Sequence, residues 1–434
     1  MPVSAVKTEP HFAPPPSPES VAETGLRQAF LEDLMLKVLY LNGAMSLLEI
    51  SAQMRLTFAV VNELLRHLRP EQMVEVTGMT GNIPQVAITT KGRTRAFELM
   101  SQNHYAGAAP VSLESYVRQV QRQSARGTDI HSPQVERAFT HLVLEQSTLD
   151  KLGTALNSGT SIFLYGPSGT GKTTIASALS RVLAEDRVWI PYAIEVDGQI
   201  IVVYDPHLHS GGDESHSFDA RWVLCPRPTV MVGGELTIEM LDLQLNPVTK
   251  FYTAPAQMKA NNGVLIIDDF GRQRLRPEEL LNRWVVPLDR GIDFLALAGG
   301  RKIEFPFEMF VVFATNLHPA TLVDAAFLRR IQTKIEIGTL ADEHFHKIFR
   351  AVCKNNNLDF EAAVVDELIE MIRYEFKEPL RACHPRDLVN QILWAARYAQ
   401  TKPVLNQESV RTAVTAYFVA ETEDVDGNRI QRVN

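Results

Sequence analysis

The apolar and polar positions of the chain follow different patterns in successive segments, and each pattern predicts a different kind of unit. From about residue 136 to 335, short apolar stretches alternate with longer stretches of helical spacing. This alternation predicts a mostly parallel sheet with helices on both faces. From about 340 to 420 the spacing of apolar residues is helical only, so a purely helical unit is expected there.

Another compact unit is predicted over residues 26–100. Three helices are expected in its first half, and the second of them begins with Ser46 and Glu49 at the spacing of a capping box. Two short strands of alternating pattern surround the loop Met79–Pro84, and a last helix follows them. Three helices with a two-stranded wing resemble a winged-helix domain.

The segments around this unit differ in composition. The proline-rich residues 1–25 bury little apolar surface, so a disordered tail is expected there, with a Pro-rich ligand for a partner protein as the alternative. A linker with one helix is expected over 101–135. The polar residues 421–434 predict a frayed tail.

The overall composition is that of a soluble globular protein. The chain has 434 residues, of which 45% are apolar and 22% charged, and its formal net charge is −8. This charge argues against a globally basic, nucleic-acid-binding surface and leaves room for a local basic patch. Three widely spaced cysteines fit neither a disulfide framework nor a zinc site, and no apolar run is long enough to span a bilayer. A cytoplasmic protein without membrane insertion is therefore expected.

A phosphate-binding loop is predicted at residues 166–173. The sequence GPSGTGKT follows an apolar strand (161–165) and precedes an amphipathic helix, which is the context that this motif requires. Its glycines let backbone amides surround phosphate oxygens, and the helix N-terminus favours negative charge. Lys172 is expected to reach the β- and γ-phosphates, and the hydroxyl of Thr173 to hold Mg²⁺. The residues predicted to bind the nucleotide here are Gly166, Pro167, Ser168, Gly169, Thr170, Gly171, Lys172, Thr173 and Thr174.

Two adjacent carboxylates end an apolar strand farther along the chain. Residues 264–267 are aliphatic and run directly into Asp268 and Asp269. Like charges at the end of a buried strand repel each other, but a bound metal ion offsets the repulsion. We expect Asp268 to bind Mg²⁺ together with Thr173, and Asp269 to orient or deprotonate the attacking water.

Later polar positions agree with a nucleotide-hydrolysing site. Asn316 ends the apolar stretch MFVVFATN, where its amide is expected to hydrogen-bond the water or the γ-phosphate. Arg329 and Arg330 end DAAFLRRI, and arginines there stabilise the transferring phosphoryl charge, usually on a neighbouring subunit's nucleotide. Arg386, in HPRDL, is expected at a helix start within reach of the γ-phosphate.

The ordered motifs GPSGTGKT, VLIIDD, FATN, AFLRRI and HPRDL resemble those of the AAA+ ATPase family over about residues 136–420. The resemblance implies an α/β core with a helical lid, ATP and Mg²⁺ bound between them, and a homo-oligomeric ring, commonly a hexamer. It implies that Asn316 is sensor 1 and Arg386 is sensor 2. It also implies that Arg330 or Arg329 is the arginine finger.

Asp269 departs from this family, which most often has Glu at that position. Asp is shorter by one C–C bond, about 1.5 Å. A misplacement of that order costs about a hundredfold in rate. We therefore expect a working but slow ATPase, and a nucleotide-gated scaffold with little hydrolysis is the alternative.

The patterns and the resemblance together divide the chain into predicted units. These are the disordered tail (1–25), the winged-helix-like domain (26–100), the linker (101–135), an AAA+ α/β nucleotide-binding domain (136–338) with a hairpin-rich insertion (190–260), a helical lid (339–420) and the polar tail (421–434).

Within the insertion, hairpins are predicted around Asp197-Gly198 and Asn246-Pro247. Related ATPases often carry hairpins here that face the ring pore and grip substrate, and a decorated edge of the sheet is the equal alternative. His207, His209 and His216 match no familiar metal-ligand spacing. A solvated polar loop is therefore expected around these histidines, with a metal site as the alternative.

The sequence predicts a ring-forming AAA+ ATPase that couples Mg-ATP hydrolysis to remodelling of a protein partner. Residues 26–100 contain eight Lys or Arg and seven Asp or Glu, and the predicted wing has no basic residue. Phosphate contacts dominate DNA affinity, so a protein substrate or adaptor is favoured as partner over nucleic acid. A DNA-acting loader or regulator that uses the winged helix remains the alternative.

Overall fold

The structure is a computed structural model that describes residues 13–126, 129–159, 161–183, 186–211, 218–322 and 325–418. Buried apolar side chains of these residues form separate clusters in the N-terminal unit, in the insertion, on each face of a parallel sheet, and in the C-terminal helices. No helix among the described residues is both long and apolar enough to span a membrane.

The N-terminal unit combines helices with a small antiparallel sheet in the order β1-β3-β2. Ser46 and Glu49 form the predicted capping box. The predicted helices and strands are present, but β1 was not predicted, and β2 and β3 extend to a tighter turn at Gly81 (φ 62°). Assignment of the unit to the winged-helix family stays a prediction. Its elements are α1 (Gln28–Asn42), β1 (Met45–Ser46), α2 (Leu47–Met54), α3 (Phe58–Leu68), β2 (Val74–Thr80), β3 (Ile83–Ile88) and α4 (Thr90–Gln102).

The segment before α1 packs against this unit. Val21 is 4% exposed, and its amide donates a hydrogen bond of 2.9 Å to the carboxylate of Glu63 on α3. The Pro18 carbonyl accepts a hydrogen bond of 2.8 Å from the Thr57 hydroxyl at the start of α3. The prediction of a disordered tail is therefore corrected for residues 13–25, because buried apolar side chains and backbone partners hold them. Residues 1–12 lie outside the described residues.

The middle of the chain contains two sheets and a group of short helices. From residue 111 to 226 the elements are β4 (Val111–Ser112), α5 (Leu113–Arg122), α6 (Ser132–Phe139), α7 (Gln146–Ser158), β5 (Ser161–Tyr165), α8 (Lys172–Val182), β6 (Arg187–Pro191), β7 (Ala193–Val196), β8 (Gln199–Val202) and β9 (Trp222–Pro226). From 229 to 336 they are β10 (Thr229–Val232), β11 (Gln244–Leu245), β12 (Tyr252–Thr253), α9 (Ala256–Lys259), β13 (Val264–Ile267), α10 (Pro277–Arg283), α11 (Val285–Arg290), β14 (Ile292–Ala296), β15 (Lys302–Pro306), β16 (Phe310–Thr315), α12 (Pro319–Leu322), α13 (Ala325–Leu328) and β17 (Thr333–Glu336).

The core sheet has five parallel strands in the order β10-β13-β16-β5-β17. Helices α6, α7 and α8 cover one face, and α10 with Trp284 covers the other. Burial on both faces explains why β13 and β16 are continuous apolar runs. The segments that follow β5, β13 and β16 emerge at one edge, where parallel sheets bind ligands. The predicted parallel sheet with helices on both faces is confirmed.

The insertion has its own sheet, in the order β11-β12-β8-β7-β4. β4 comes from the segment before the core, and α5 buries Tyr116 and Val120 in the insertion's apolar cluster. Gln123, which follows α5, bonds the backbone of Trp189 in β6 and the side chain of Asn262 just before β13. These contacts correct the predicted linker, because β4 and α5 form part of the insertion's folded core.

Both predicted hairpins of the insertion are present. β7 and β8 are antiparallel and turn at Asp197 (φ 53°) and Gly198 (φ 81°), where the left-handed backbone favours Gly and Asp. β11 and β12 are also antiparallel. In the longer loop between them, the Asn246 side chain accepts hydrogen bonds from the amides of Val248 and Thr249.

A third hairpin, β14–β15, was not predicted. It turns through Gly299 and Gly300, both with positive φ, and Arg301 at its end forms an ion pair of 2.5 Å with Asp197. This ion pair joins the tip of the third hairpin to the tip of β7–β8. The alternating DFLAL and KIEF segments around the Gly-Gly pair are the signal that would have predicted it.

A buried ion pair connects the insertion to the N-terminal unit. The side chains of Arg221 and Asp219 are each 4% exposed, and their closest atoms are 2.8 Å apart. The Arg221 guanidinium also donates to the carbonyls of Thr24 and Pro110, both at 3.1 Å. One arginine thus holds the chain before α1, the chain before β4 and the insertion together.

The C-terminal unit is helical, as predicted for the lid. Phe345, Phe349 and Ile392 are among its buried residues. A π-helical turn (Met371–Glu375) continues the second helix, and the predicted polar tail lies outside the described residues. The helices are α14 (Asp342–Asn355), α15 (Ala362–Glu370), α16 (His384–Tyr398) and α17 (Gln407–Tyr417).

Candidate nucleotide-binding site

The loop between β5 and α8 has a backbone that requires glycine. Gly166 has φ 142°, and a Cβ atom there would lie 2.2 Å from the carbonyl oxygen of Ile337. Gly171 has φ 92° at the N-cap of α8, and Gly169 has φ 77°. These left-handed or crowded positions explain the glycine spacing of the motif. They also present the amides at the start of α8 toward the edge of the sheet, which suits an anion.

The remaining loop residues fill two roles. Pro167 and Ser168 are exposed at the loop surface, and so are Thr173 and Thr174 in the first turn of α8. Thr170 is buried, and its hydroxyl donates a hydrogen bond of 3.0 Å to the Pro167 carbonyl. Thr170 therefore holds the loop's shape, while the exposed members are accessible to a ligand.

Lys172 lies over its own loop. Its Nζ donates hydrogen bonds to the carbonyls of Gly166 (2.9 Å) and Pro167 (2.7 Å). Burial lowers the pKa of Lys172, although the nearby carboxylates of Asp268 and Asp269 act in the opposite direction. The ammonium group thus stands between the phosphate loop and the two acids, where a phosphate charge would favour its protonated form.

Thr173 and Asp268 meet where α8 approaches the end of β13. The Thr173 hydroxyl lies 3.0 Å and 2.9 Å from the two carboxylate oxygens of Asp268. Hydroxyl and carboxylate oxygens are hard donors of the kind that Mg²⁺ prefers. The donor set therefore fits the predicted magnesium ion, and these two residues are the ones that would hold it.

Asp269 is exposed and has a left-handed backbone with φ 50°. Its amide donates a hydrogen bond of 3.0 Å to the side chain of Asp268. Few residues other than glycine adopt this conformation, and such strain is concentrated at functional sites. The shorter Asp side chain is therefore carried by a left-handed backbone.

The sequence did not reveal that Gln273 supports this turn. Its amide nitrogen donates to the Asp268 carbonyl at 2.8 Å, and its amide oxygen accepts from the Gly271 amide at 2.8 Å. The Phe270 amide donates to the Ala314 carbonyl of β16. A glutamine four or five residues after an acidic pair is too common a feature to have identified this role.

Asn316 stands directly after β16, at the same edge of the sheet. Its Oδ1 atom is buried and has no hydrogen-bond partner among the described residues. The preceding Thr315 is fixed by a hydrogen bond of 2.7 Å from its hydroxyl to the Phe270 carbonyl. An unpartnered buried amide oxygen is uncommon, and here it fits a polar group of a bound ligand or its water.

The two paired arginines have different surroundings. Arg330 forms a bifurcated contact with Asp289, with its Nε atom 3.0 and 2.9 Å from the two carboxylate oxygens. Arg329 is exposed, and the described part of the chain offers it no hydrogen bond or ion pair. Arg330 is therefore held by a residue of its own chain, whereas the Arg329 side chain is exposed.

The lid touches the phosphate loop through the start of α16. The Cys383 amide donates a hydrogen bond of 3.0 Å to the Gly169 carbonyl. Arg386 lies in the first turn of α16, where predicted, but its side chain is 70% exposed and pairs with Asp387 at 3.0 Å. Arg381, which the sequence did not single out, lies closer: its Cδ would be 3.5 Å from a Cβ on Gly169.

Of the histidines predicted in a solvated loop, His209 is instead buried. His209 is 1% exposed. Its Nδ1 accepts a hydrogen bond from the Asp205 amide, and its Nε2 bonds the Lys259 carbonyl, both at 2.9 Å. His207 is exposed, and His216 lies outside the described residues. Among the described residues there is no group of three metal-ligating side chains.

The described residues form a parallel α/β fold with a glycine-rich phosphate loop and an adjoining helical unit. Solved structures of similar fold include RuvB of Thermotoga maritima, described as a Holliday junction branch migration motor, at 13% identity and TM-score 0.37, covering 66% of this chain and 73% of that one. A mutant of the same RuvB gives 12% identity and TM-score 0.39, over 64% and 72% of the two chains.

NtrX from Brucella abortus is similar at 15% identity and TM-score 0.41, over 67% of this chain and 59% of that one. A family model described as a domain of unknown function (DUF8689) matches residues 341–416, which lie in the lid. No curated protein matches the sequence.

Proposed function

We propose that the chain is a ring-forming AAA+ ATPase that couples hydrolysis of Mg-bound ATP to remodelling of a protein partner. The observation that carries the proposal is the contact of the Thr173 hydroxyl with both carboxylate oxygens of Asp268. These residues belong to different motifs, and their meeting at the carboxyl edge of the sheet supplies oxygen donors beside the phosphate loop.

Each neighbouring side chain then has a role. Bound Mg-ATP supplies a γ-phosphoryl group whose transfer to water yields ADP and phosphate. Lys172 binds phosphate oxygens, in exchange for the loop carbonyls that it contacts here. Asp269 orients the attacking water and accepts its proton, and the buried Oδ1 of Asn316 accepts a hydrogen bond from the same water.

A ring is supported by the arginine pair. Arg329 is exposed and has no hydrogen bond or ion pair to the described residues of its own chain, so a neighbouring subunit's nucleotide is the site that it suits. Arg330, anchored on Asp289, fixes the backbone that presents Arg329. Of the two predicted candidates for the arginine finger, Arg329 is therefore the one that we propose.

A protein partner is supported by the surface of α3. In a DNA-reading winged helix the third helix would be the recognition helix, but here residues 18–21 contact it at Thr57 and Glu63. Arg66 and Arg69 remain exposed, and the turn between β2 and β3 has no basic residue. A partly covered helix beside a neutral wing is poorly equipped for phosphate contacts.

One observation favours the alternative of a nucleotide-gated scaffold. Asp269 is both shorter than the usual Glu and held in a left-handed conformation, so its carboxylate has to reach the water from an unusual backbone position. Were that reach insufficient, ATP binding would control assembly without appreciable turnover.

The test is steady-state ATP hydrolysis and ATP binding by the purified full chain, with its oligomeric state measured at the same concentration. Lys172→Ala should lose ATP binding. Asp269→Asn should bind ATP and lose turnover, whereas Asp359→Asn, which changes an exposed carboxylate in the lid, should behave as wild type. A wild-type chain that binds no ATP would contradict the proposal, and an ATP-bound ring without turnover would establish the scaffold instead.

A further inference from the structure

A pocket lies between the N-terminal unit and the insertion, and none of its lining residues belongs to the phosphate loop. Its volume is about 380 Å³, within the range of ligand sites, which often lie at domain junctions. We call it the junction pocket. It is lined by Gln53 and Arg55 at the end of α2, Tyr105 and Ala108 after α4, and Tyr192 and Tyr204 beside the insertion's sheet.

The aromatic walls of the junction pocket are held in place. The rings of Tyr192 and Tyr204 are 5.2 Å apart at an angle of 60°, and the Tyr204 ring also packs on His209. Tyr105 packs edge-on against Phe251, and its hydroxyl donates a hydrogen bond of 2.7 Å to the Ala108 carbonyl. Rigid tyrosines in such a corner offer apolar contact at little entropic cost.

The described residues give the positive charge of Arg55 in the junction pocket no acidic partner. The Arg55 guanidinium lies over the Tyr192 ring, 5.6 Å from its centroid. Among the described residues Arg55 has no carboxylate partner, and none of the pocket-lining residues is acidic. Asp205, the acid next to Tyr204, is paired with Lys259 at 2.9 Å. The guanidinium edge therefore remains available for a carboxylate.

We propose that the junction pocket binds a short acidic peptide segment of a partner protein. An aromatic or prolyl side chain of the segment occupies the tyrosine corner, and a neighbouring carboxylate binds Arg55. Ala52 and Gln53 at the rim are exposed, so a peptide backbone has room to pass across the opening. That the bound segment belongs to the remodelled partner rests on the proposed function; the pocket's preference for an acidic ligand does not.

The experiment uses two fluorescein-labelled peptides and the full chain. The acidic probe is Gly-Asp-Phe-Glu-Pro-Asp-Gly, and its neutral twin has Asn and Gln in place of the acids. Binding is measured by fluorescence anisotropy with wild type, Arg55→Gln, Tyr204→Ala and two controls. The controls, Arg66→Gln and Tyr374→Ala, change an exposed arginine and an exposed tyrosine outside the pocket.

We expect wild type and both controls to bind the acidic probe roughly tenfold more tightly than the neutral twin, because an arginine–carboxylate contact is a charge-assisted hydrogen bond. Arg55→Gln should lose this preference. Tyr204→Ala should weaken the binding of both probes about tenfold, since the substitution removes an aromatic contact that both probes make. Tyr204→Ala also keeps the proposal testable if Arg55→Gln does not fold.

Three outcomes would overturn the proposal. They are equal affinity for the two probes, an unchanged preference in Arg55→Gln, and no saturable binding of the acidic probe up to about 1 mM, the weak limit for a specific site. Phenylacetate that binds as tightly as the peptide and displaces it would identify a small-molecule site instead. ATP turnover measured in the same preparations separates this result from the proposed function, since either can fail while the other stands.

Discussion

The backbone amide of Cys383 donates a 3.0 Å hydrogen bond to the carbonyl oxygen of Gly169. This bond joins the start of α16 in the lid to the middle of the phosphate loop. The Cys383 Sγ atom would lie only 2.6 Å from a Cβ on Gly169, so no space separates the two units at this point. The position of the lid is therefore linked to the conformation of the loop.

Substitution of Gly169 tests that link. Gly169→Ala places a Cβ against Cys383 and imposes a left-handed backbone (φ 77°) that costs about 1–2 kcal/mol for a non-glycine residue. We expect ATP affinity to fall by about tenfold or more, as measured by titration with a fluorescent ATP analogue. Adding Cys383→Ala should recover the part of the loss that is steric. Unchanged affinity in Gly169→Ala would show that the loop and lid separate at no cost.

The two neighbouring arginines give different expectations for ATP hydrolysis. Arg329→Ala should keep ATP binding and lose hydrolysis by about a thousandfold, the lower range for arginine fingers. The defect should act between subunits, so mixing with Lys172→Ala subunits, which retain Arg329, should restore part of the activity.

Arg330→Ala removes the contact with Asp289 instead. It should lower turnover less than Arg329→Ala does, and Asp289→Ala should reproduce its effect, because both variants break the same ion pair. Full activity of Arg329→Ala together with an inactive Arg330→Ala would assign the finger to Arg330.

The buried pair Arg221–Asp219 should make a large contribution to the attachment of the N-terminal unit. Arg221→Ala leaves a buried carboxylate without its opposite charge and two carbonyls without this donor, which costs about 3–5 kcal/mol. Arg118→Ala is the control, because Arg118 forms an exposed pair with Glu114 worth about 0–1 kcal/mol. Hydrogen exchange of α1 and β4 gives the measurement. Equal protection in the two variants would show that the buried pair is not needed for this junction.

His384 makes the lid sensitive to acid. Burial and the nearby Arg381 lower its pKa to about 4. Unfolded histidine titrates near 6.5, so the folded lid excludes a proton that the unfolded chain binds. The resulting contribution to the free energy of unfolding is up to about 3 kcal/mol. It is complete above about pH 6.5 and is lost as pH falls toward 4.

The measurement is hydrogen exchange of α16 between pH 7 and 5, corrected for intrinsic exchange rates. Wild type should lose more protection on acidification than His384→Gln, and His207→Gln, which changes an exposed histidine, should follow wild type. The same pH dependence in wild type and His384→Gln would assign the acid sensitivity to other groups.

The sequence predicted the parts of the site that depend on local patterns. The phosphate loop was predictable because strand, glycines and helix are consecutive in the chain. The meeting of Thr173 and Asp268, 95 residues apart, was predictable because parallel strands end at one edge of a sheet. The left-handed backbone of Asp269 was not, since it depends on Gln273 and on β16, which the local sequence does not reveal.

Other features depend on contacts between distant segments. His209 looks like part of a polar loop, but Lys259, 50 residues later, provides its second hydrogen bond. The segment over residues 13–25 is ordered by α3 and not by its own composition. In both cases a partner from a distant segment determines burial, and not the local hydrophobicity. The composition of the segment alone therefore predicts solvent exposure, which is wrong here.

The contact of Gln123 with Asn262 has a practical consequence for any shortened version of this protein. A fragment that begins at residue 136, where the α/β pattern starts, would lack β4, α5 and Gln123. It would expose the apolar cluster that Tyr116 and Val120 help to fill, and leave the Asn262 amide without two of its hydrogen bonds just before the strand that leads to Asp268. A soluble ATPase fragment is therefore expected only from expression clones that start before Val111.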